Sequence, residues 1–205
     1  MKKLIIVGNK KEPPKYNNQL IPIDIYKNAI DSFDFVCRIN RMMNYDLTTG
    51  TKTDGLYLGG WKDFVEQYHG GEHKDIIRTI PTIFIYGWCW AGYFKNHWKE
   101  FITQEQKDNI IWCDFDLGKI RMNYQHPCSV ISMIDYFCNT PIWYNNYEIY
   151  FTGIDVNNRG EILKNGEFWK NTLHAAGGDI EEAYIRKLME EGKLKWLEQE
   201  IYKSL

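Results

Sequence analysis

Gly8 and Asn9 follow directly on the first apolar run of the chain, "LIIV". A residue without Cβ lets a phosphate or a sugar approach the backbone, and an asparagine side chain both donates and accepts hydrogen bonds. The same pair also makes an ordinary strand-to-loop turn. A related pattern recurs late in the chain, where "YEIYFTGID" ends on Gly153, Ile154 and Asp155, which is either a strand meeting a turn or the rim of a ligand site. Arg38 and Asn40 close the apolar run "FDFVCRIN". An arginine inside such a run is costly to bury unpaired, so it must meet a carboxylate or a ligand anion. His174, in "NTLHAAGGDIEE", stands in a polar stretch just before a strong helical pattern. An imidazole there titrates near neutrality and can serve as a general base, or can be plain surface or capping structure.

Other spacings carry less. His69 and His73 have the i, i+4 separation of metal ligands, but Gly70-Gly71 between them argues against one regular helix face. Asp114-x-Asp116 has the form that holds a divalent ion on a nucleotide diphosphate in many glycosyltransferases. With 13 aspartates in 205 residues, roughly one such triplet arises by chance. The chain has no G-x-x-x-x-G-K-[ST], G-x-G-x-x-G or G-x-S-x-G, which argues against phosphate-loop NTPases, dinucleotide-dependent dehydrogenases and serine hydrolases. Its 5 cysteines are widely spaced with no C-x-x-C pair, as expected of reduced, buried thiols.

These residues must be positioned by strands and helices. Leu4–Val7, residues 33–40, 54–59, 82–87, 109–113 and "YEIYFTGI" read as six short strands. Between them lie helical stretches: residues 62–69; "TQEQKDN", with a capping box at Thr103 and Gln106; and "CSVISMIDYFC", apolar nearly all round, with Pro127 in its first turn. The stretch from Asp179, as N-cap, to Leu205 reads as a helix interrupted at Gly192. Alternating strands and helices predict an α/β fold: a single Rossmann-like domain over 1–205 with a mostly parallel sheet. In such sheets ligands gather beyond the carboxyl ends of strands. Residues 9–19 read as an exposed loop, and 156–173 as a short lid after the last strand.

Composition sets outer limits. A formal charge of −2 gives no pull toward nucleic acid or anionic lipid, so no nucleic-acid partner is expected. Aromatic residues reach 16%, more than a core of this size needs, and some are expected in a groove or at a partner. "TIFIYGWCWAGYF" is too short to span a bilayer, and the first apolar run ends too soon for a signal peptide. A cytoplasmic protein is expected.

Taken in order, the chemistry-bearing segments resemble the sialyltransferase superfamily, and most closely its small bacterial members. "LIIVGN" is similar to the family's opening strand, "IDSFDFVCRIN" with "TTGTKTDGLYLG" to its Arg-x-Asn segment, "YEIYFTGID" to its late strand, and "HAAGGDIEEAYIRKLMEEGKLKW" to its catalytic-histidine segment. The resemblance implies a donor-nucleotide site formed by Gly8, Asn9, Asn40, Ser129, Gly153, Ile154 and Asp155, with His174 as catalytic base. It further implies a CMP-sugar donor, a glycan acceptor, no cofactor, no obligatory metal, and work at the inner face of the membrane with peripheral association. The reaction implied is an inverting transfer of sialic acid or a related acidic sugar. Departures are visible. The family's Gly-Pro-Ser after Gly-Asn is here Lys10-Lys11-Glu12, and residues 156–173 lack the lid tyrosines that meet the leaving phosphate. Arg159, Lys164 and Lys170 are the cations available there instead, with Arg38 a further phosphate contact. Two alternatives stay open: a transferase using another nucleotide sugar through Asp114 and Asp116, and a non-catalytic nucleotide- or glycan-binding relative.

Overall fold

Strand β1 (Lys2–Val7) buries Leu4 and Ile6 in the apolar layer on one face and Ile5 and Val7 in the layer on the other. That is how a central parallel strand is covered. The structure, a computed structural model, describes residues 1–10, 12–40, 42, 44–59, 73–87, 95–165 and 176–205. After β1 comes a two-stranded ribbon, β2 (Lys15–Tyr16) and β3 (Gln19–Leu20), then β4 (Phe35–Ile39), β5 (Gly55–Tyr57), β6 (Thr82–Tyr86), β7 (Ile111–Cys113), β8 (Tyr147–Thr152) and β9 (Lys195–Trp196). Seven of these form one sheet in the order β7-β6-β5-β4-β1-β8-β9, with every described pairing parallel. The expected α/β, Rossmann-like fold is therefore present, and its sheet is parallel throughout rather than mostly so.

The order places a switch point at the centre. From β1 the chain steps outward through β4, β5 and β6 to β7, then returns across the sheet to β8 on the other side of β1. Successive connections therefore leave β1 and β8 in opposite directions. The two strands stay in register to their ends, Val7 beside Thr152.

Helices cover both faces. Helix α1 (Ile23–Asp31) contributes Tyr26 and Ile30 to the layer that holds Ile5, Val7 and Val36. On the opposite face, after α2 (Asp116–Met122), helix α3 (Ser129–Asn139) buries Ile131, Ile134 and Phe137 against Leu4, Ile6 and Phe151. Asp135, also buried on α3, is neutralised by Arg121 and accepts from the Tyr184 hydroxyl. Helix α4 (Arg159–Asn165) is followed by α5 (Gly178–Glu190), whose Ile185 and Leu188 join that second layer. Helix α6 (Leu197–Ser204) returns to the α1 face with Leu197 and Ile201.

Several local expectations change. The capping box at Thr103 and Gln106 is formed. Pro127 lies outside α3, whose N-cap is Cys128, and Asp179 falls in the first turn of α5, behind an N-cap at Gly177. There Asp179 accepts from Lys164 at 3.1 Å. The last stretch is not one interrupted helix: Gly192, at φ 70°, ends it, and Lys195–Trp196 add the edge strand β9 before α6. β8 is thus not the last strand, and part of the expected lid is helix α4. The expected loop at 9–19 contains the β2–β3 ribbon, turned by Asn17 and Asn18 at φ 48° and 65°, both in the left-handed region that a tight hairpin of this hand needs. The expected helix at 62–69 lies outside the described residues.

Candidate functional site

The carboxyl ends of β1 and β8 touch. The amide of Gly8 donates to the Thr152 carbonyl at 2.9 Å, and that of Lys10 to the Gly153 carbonyl at 3.0 Å. A Cβ on Gly8 would lie 2.4 Å from both the Gly153 oxygen and Ile154 Cγ2. Gly153 has φ 68°, and a Cβ there would lie 2.9 Å from the Gly8 oxygen. Both glycines are therefore required by each other. The bare Cα of Gly8 lets a second loop approach its backbone, so packing alone already requires a glycine there.

Polar side chains fix this junction. Lys10 Nζ forms an ion pair with Asp155 Oδ1, tying the loop after β1 to the loop after β8. Asn44 Nδ2 donates to the carbonyls of Gly8 and Lys10 at 2.7 and 3.0 Å; nothing in the sequence singles it out. Asn40, at φ 50°, accepts from the Gly59 amide at 2.8 Å and so joins the ends of β4 and β5. Asparagine is among the few residues that tolerate that backbone region. Gly8, Asn9, Asn40, Gly153, Ile154 and Asp155 thus stand at the ends of three adjacent strands, β4, β1 and β8.

The expected phosphate contacts are placed differently. Arg38 is fully buried. Its guanidinium donates to Thr49 Oγ1 at 2.7 Å, to the Thr49 and Gly50 carbonyls at 2.8 and 3.0 Å, and to Thr53 Oγ1 at 2.9 Å. That is internal pairing, made with neutral oxygens rather than with a carboxylate. Burial draws its pKa down to about 10, with Asp31 nearby acting the other way. Arg159 is buried too, and its Nε donates to Glu181 Oε2 at 2.6 Å while Nη1 reaches the Asp155 carbonyl at 3.2 Å. Burial works against the Arg159 charge, but Glu181 and Cys128 together outweigh it, and the guanidinium holds its proton more tightly than usual. The other Glu181 oxygen accepts from the Cys128 amide at 2.6 Å. Ser129, the first residue of α3, follows Cys128, whose amide is linked to the Asp155 carbonyl through Glu181 and Arg159. Lys164 is exposed against Asp179. Lys170 and His174 lie outside the described residues.

Beside the junction is a cleft of about 370 Å³. Gly153, Ile154 and Asp155 border it together with Lys10, the ribbon, Trp196 and Glu198, and the ribbon's Tyr16 ring stands edge-on to Trp196 at 5.2 Å; Gly8, Asn9, Asn40 and Ser129 are not in its lining. At its base Tyr26 bonds to the Thr152 hydroxyl and donates to Glu198 Oε1 at 3.0 Å. Burial raises the pKa of Glu198 and pushes that of Tyr26 well above its ordinary value, with Glu198 adding to the effect. No feature of the sequence marks these three residues as neighbours, since they come from α1, β8 and α6.

The remaining candidates lie elsewhere. Asp114 accepts from the Asp116 amide at 3.0 Å, while Asp116 accepts from the Tyr86 hydroxyl at 2.6 Å and from Lys119 at 2.8 Å. They follow β7, four strands from β1, or ~19 Å at the usual strand spacing. His73 packs against the ring of Tyr45, and His69 lies outside the described residues. Among the described residues no three His, Cys, Asp or Glu side chains are grouped as a metal site, and no helix is long and apolar enough to cross a membrane. Cys37, Cys113, Cys128 and Cys138 are free and buried. No protein-family model matches the chain, and neither the curated proteins nor the solved structures contain a match to it.

Proposed function

We propose that the protein is a glycosyltransferase of sialyltransferase type, moving sialic acid or a related acidic sugar from a CMP-activated donor to a glycan hydroxyl. The observation that carries this reading is the convergence of Gly8-Asn9 and Gly153-Ile154-Asp155, two of the segments behind the resemblance, at the switch point of a parallel sheet. Nucleotides are held at such points in α/β sheets. Asn40, from a third segment, stands on the neighbouring strand end.

In this reading Asp155 accepts hydrogen bonds from the nucleoside, and Lys10, its ion-pair partner, brings a cation to the same rim. His174 takes the proton of the acceptor hydroxyl as that oxygen attacks the anomeric carbon. The bond from that carbon to the phosphate oxygen breaks, CMP leaves with the electron pair, and configuration inverts. The displacement uses no metal, and its place is the cytoplasm, against the inner membrane face.

CMP release from CMP-sialic acid in the presence of lactose, measured for the native protein and for His174→Ala, tests this. Removing a general base is expected to slow transfer by about 10²-fold or more. Failure of the native protein to turn over any CMP-sugar, together with failure to bind a cytidine nucleotide, sinks the proposal. Turnover of another nucleotide sugar that vanishes with chelator would replace it.

A further inference from the structure

Lys10 and Asp155 pair across the junction, and the backbone of each is pinned by a further, buried side chain. The Lys10 carbonyl accepts from Asn44 Nδ2 at 3.0 Å, and the Asp155 carbonyl accepts from Arg159 Nη1 at 3.2 Å. Both donors are enclosed, Asn44 at 1% exposure and Arg159 at 6%. Main-chain carbonyls only accept, so the Asn44 side chain has to turn its NH₂ group toward Gly8 and Lys10.

Neither donor stands alone. The Asn44 carbonyl accepts from Thr49 Oγ1 at 2.9 Å, and that same oxygen accepts from Arg38 Nη1 at 2.7 Å. Side chains alternate along a strand, so Arg38 shares the face of β4 that carries Val36, which belongs to the α1 layer. Arg159 works from the other layer. Its Nε donates to Glu181 of α5 at 2.6 Å, and Glu181 also accepts from the amide of Cys128, the N-cap of α3, at 2.6 Å. Two hydrogen-bonded chains, each anchored on a buried arginine, thus reach the junction from opposite faces of the sheet. They end on the carbonyls of the two residues that form its ion pair.

The contact between Gly8 and Gly153 already brings the strand ends together. What these chains add is a fixed starting point for the Lys10 and Asp155 side chains, both of which border the cleft. A rim ordered before its ligand arrives loses less binding free energy to ordering.

We propose that Asn44 and Arg159 are positioning residues, which fix the backbone under Lys10 and Asp155 so that this charged pair stands preformed at the rim of the nucleotide site. They act through Lys10 and Asp155. That the rim serves a nucleotide rests on the transferase reading above; that it is held in this way does not.

Amide hydrogen exchange and CMP titration on ¹⁵N-labelled samples test this in Asn44→Ala and in Arg159→Lys, which keeps a cation for Glu181 but has no second nitrogen for the Asp155 carbonyl. The Lys10 amide donates to the Gly153 carbonyl across the junction. In either variant it is expected to exchange about tenfold faster relative to the amides of Ile5 and Ile6 in the middle of β1. CMP affinity is expected to fall about two- to tenfold. The proposal is overturned if the Lys10 amide stays as protected as in the native protein, or if CMP binds the variants as tightly. It is overturned equally if Ile5 and Ile6 accelerate by the same factor as Lys10, the mark of a purely structural loss. Either variant decides the matter should the other not fold. Native protein that binds no CMP ends the transferase reading and the nucleotide's part in this proposal, while the exchange comparison still decides whether the rim is held.

Discussion

Arg38 and Glu198 show two ways of burying an ionisable side chain. Arg38 keeps its charge by donating to carbonyl and hydroxyl oxygens of the 49–53 loop, whereas Glu198 takes its hydrogen bond from a neutral tyrosine and its carboxyl is shifted toward the neutral form. The second arrangement makes stability depend on pH. Below the ordinary glutamate range both folded and unfolded chains carry the proton. As pH rises the unfolded chain loses it first, so folding stability falls until the folded carboxyl ionises as well. Tyr26, the titratable group bonded to it, is itself pushed upward and stays neutral across this range. The melting temperature of the native protein minus that of Glu198→Gln is therefore expected to decrease as pH rises above the ordinary glutamate range; a constant difference would falsify the assignment. Arg38 was legible in the sequence as a cost, a cation in an apolar run, but its partners were not, because carbonyl oxygens 11 to 14 residues away leave no compositional mark. Glu198 was not legible at all, since an acidic residue in an amphipathic stretch looks solvated until β9 turns it inward.

At the scale of elements, the account depends on β1 and β8 ending in loops that touch. Gly8→Ala places a methyl group 2.4 Å from two heavy atoms of the facing loop and is expected to cost about 2–3 kcal/mol in urea unfolding without any nucleotide present. Gly153→Ala adds a left-handed backbone penalty of about 1–2 kcal/mol to its own close contact. A Cβ on Gly87, just past the end of β6, would meet no atom of the described residues within 4 Å, and Gly87→Ala should be close to neutral. Equal effects at Gly8 and Gly87 would mean that the junction is not tight. The strands of the large sheet up to β8 were readable because short, β-branched runs bounded by polar turns have few other solutions. β9 was hidden inside a helical pattern: two residues, Lys195 and Trp196, are too few to show a period of two. The ribbon at 15–20 was hidden because its turn depends on backbone angles at Asn17 and Asn18.

For the whole molecule, alternation of strands and helices foretold a parallel sheet, but strand order is set by packing between distant segments and is written in no local pattern. That order makes neighbours of residues 8 and 153 and leaves Asp114 and Asp116 at the far edge. It also moves Arg38 and Arg159 from expected phosphate contacts to internal ties. The central claim is that the switch point between β1 and β8 binds a cytidine nucleotide, and chemical-shift mapping with CMP tests it most directly. The account predicts saturable shifts concentrated at the amides of Gly8, Asn9, Asn40, Gly153 and Asp155, weakened in Asp155→Ala. Absence of any shift with CMP, or shifts confined to the opposite end of the sheet around Asp34 and Tyr147, would contradict it.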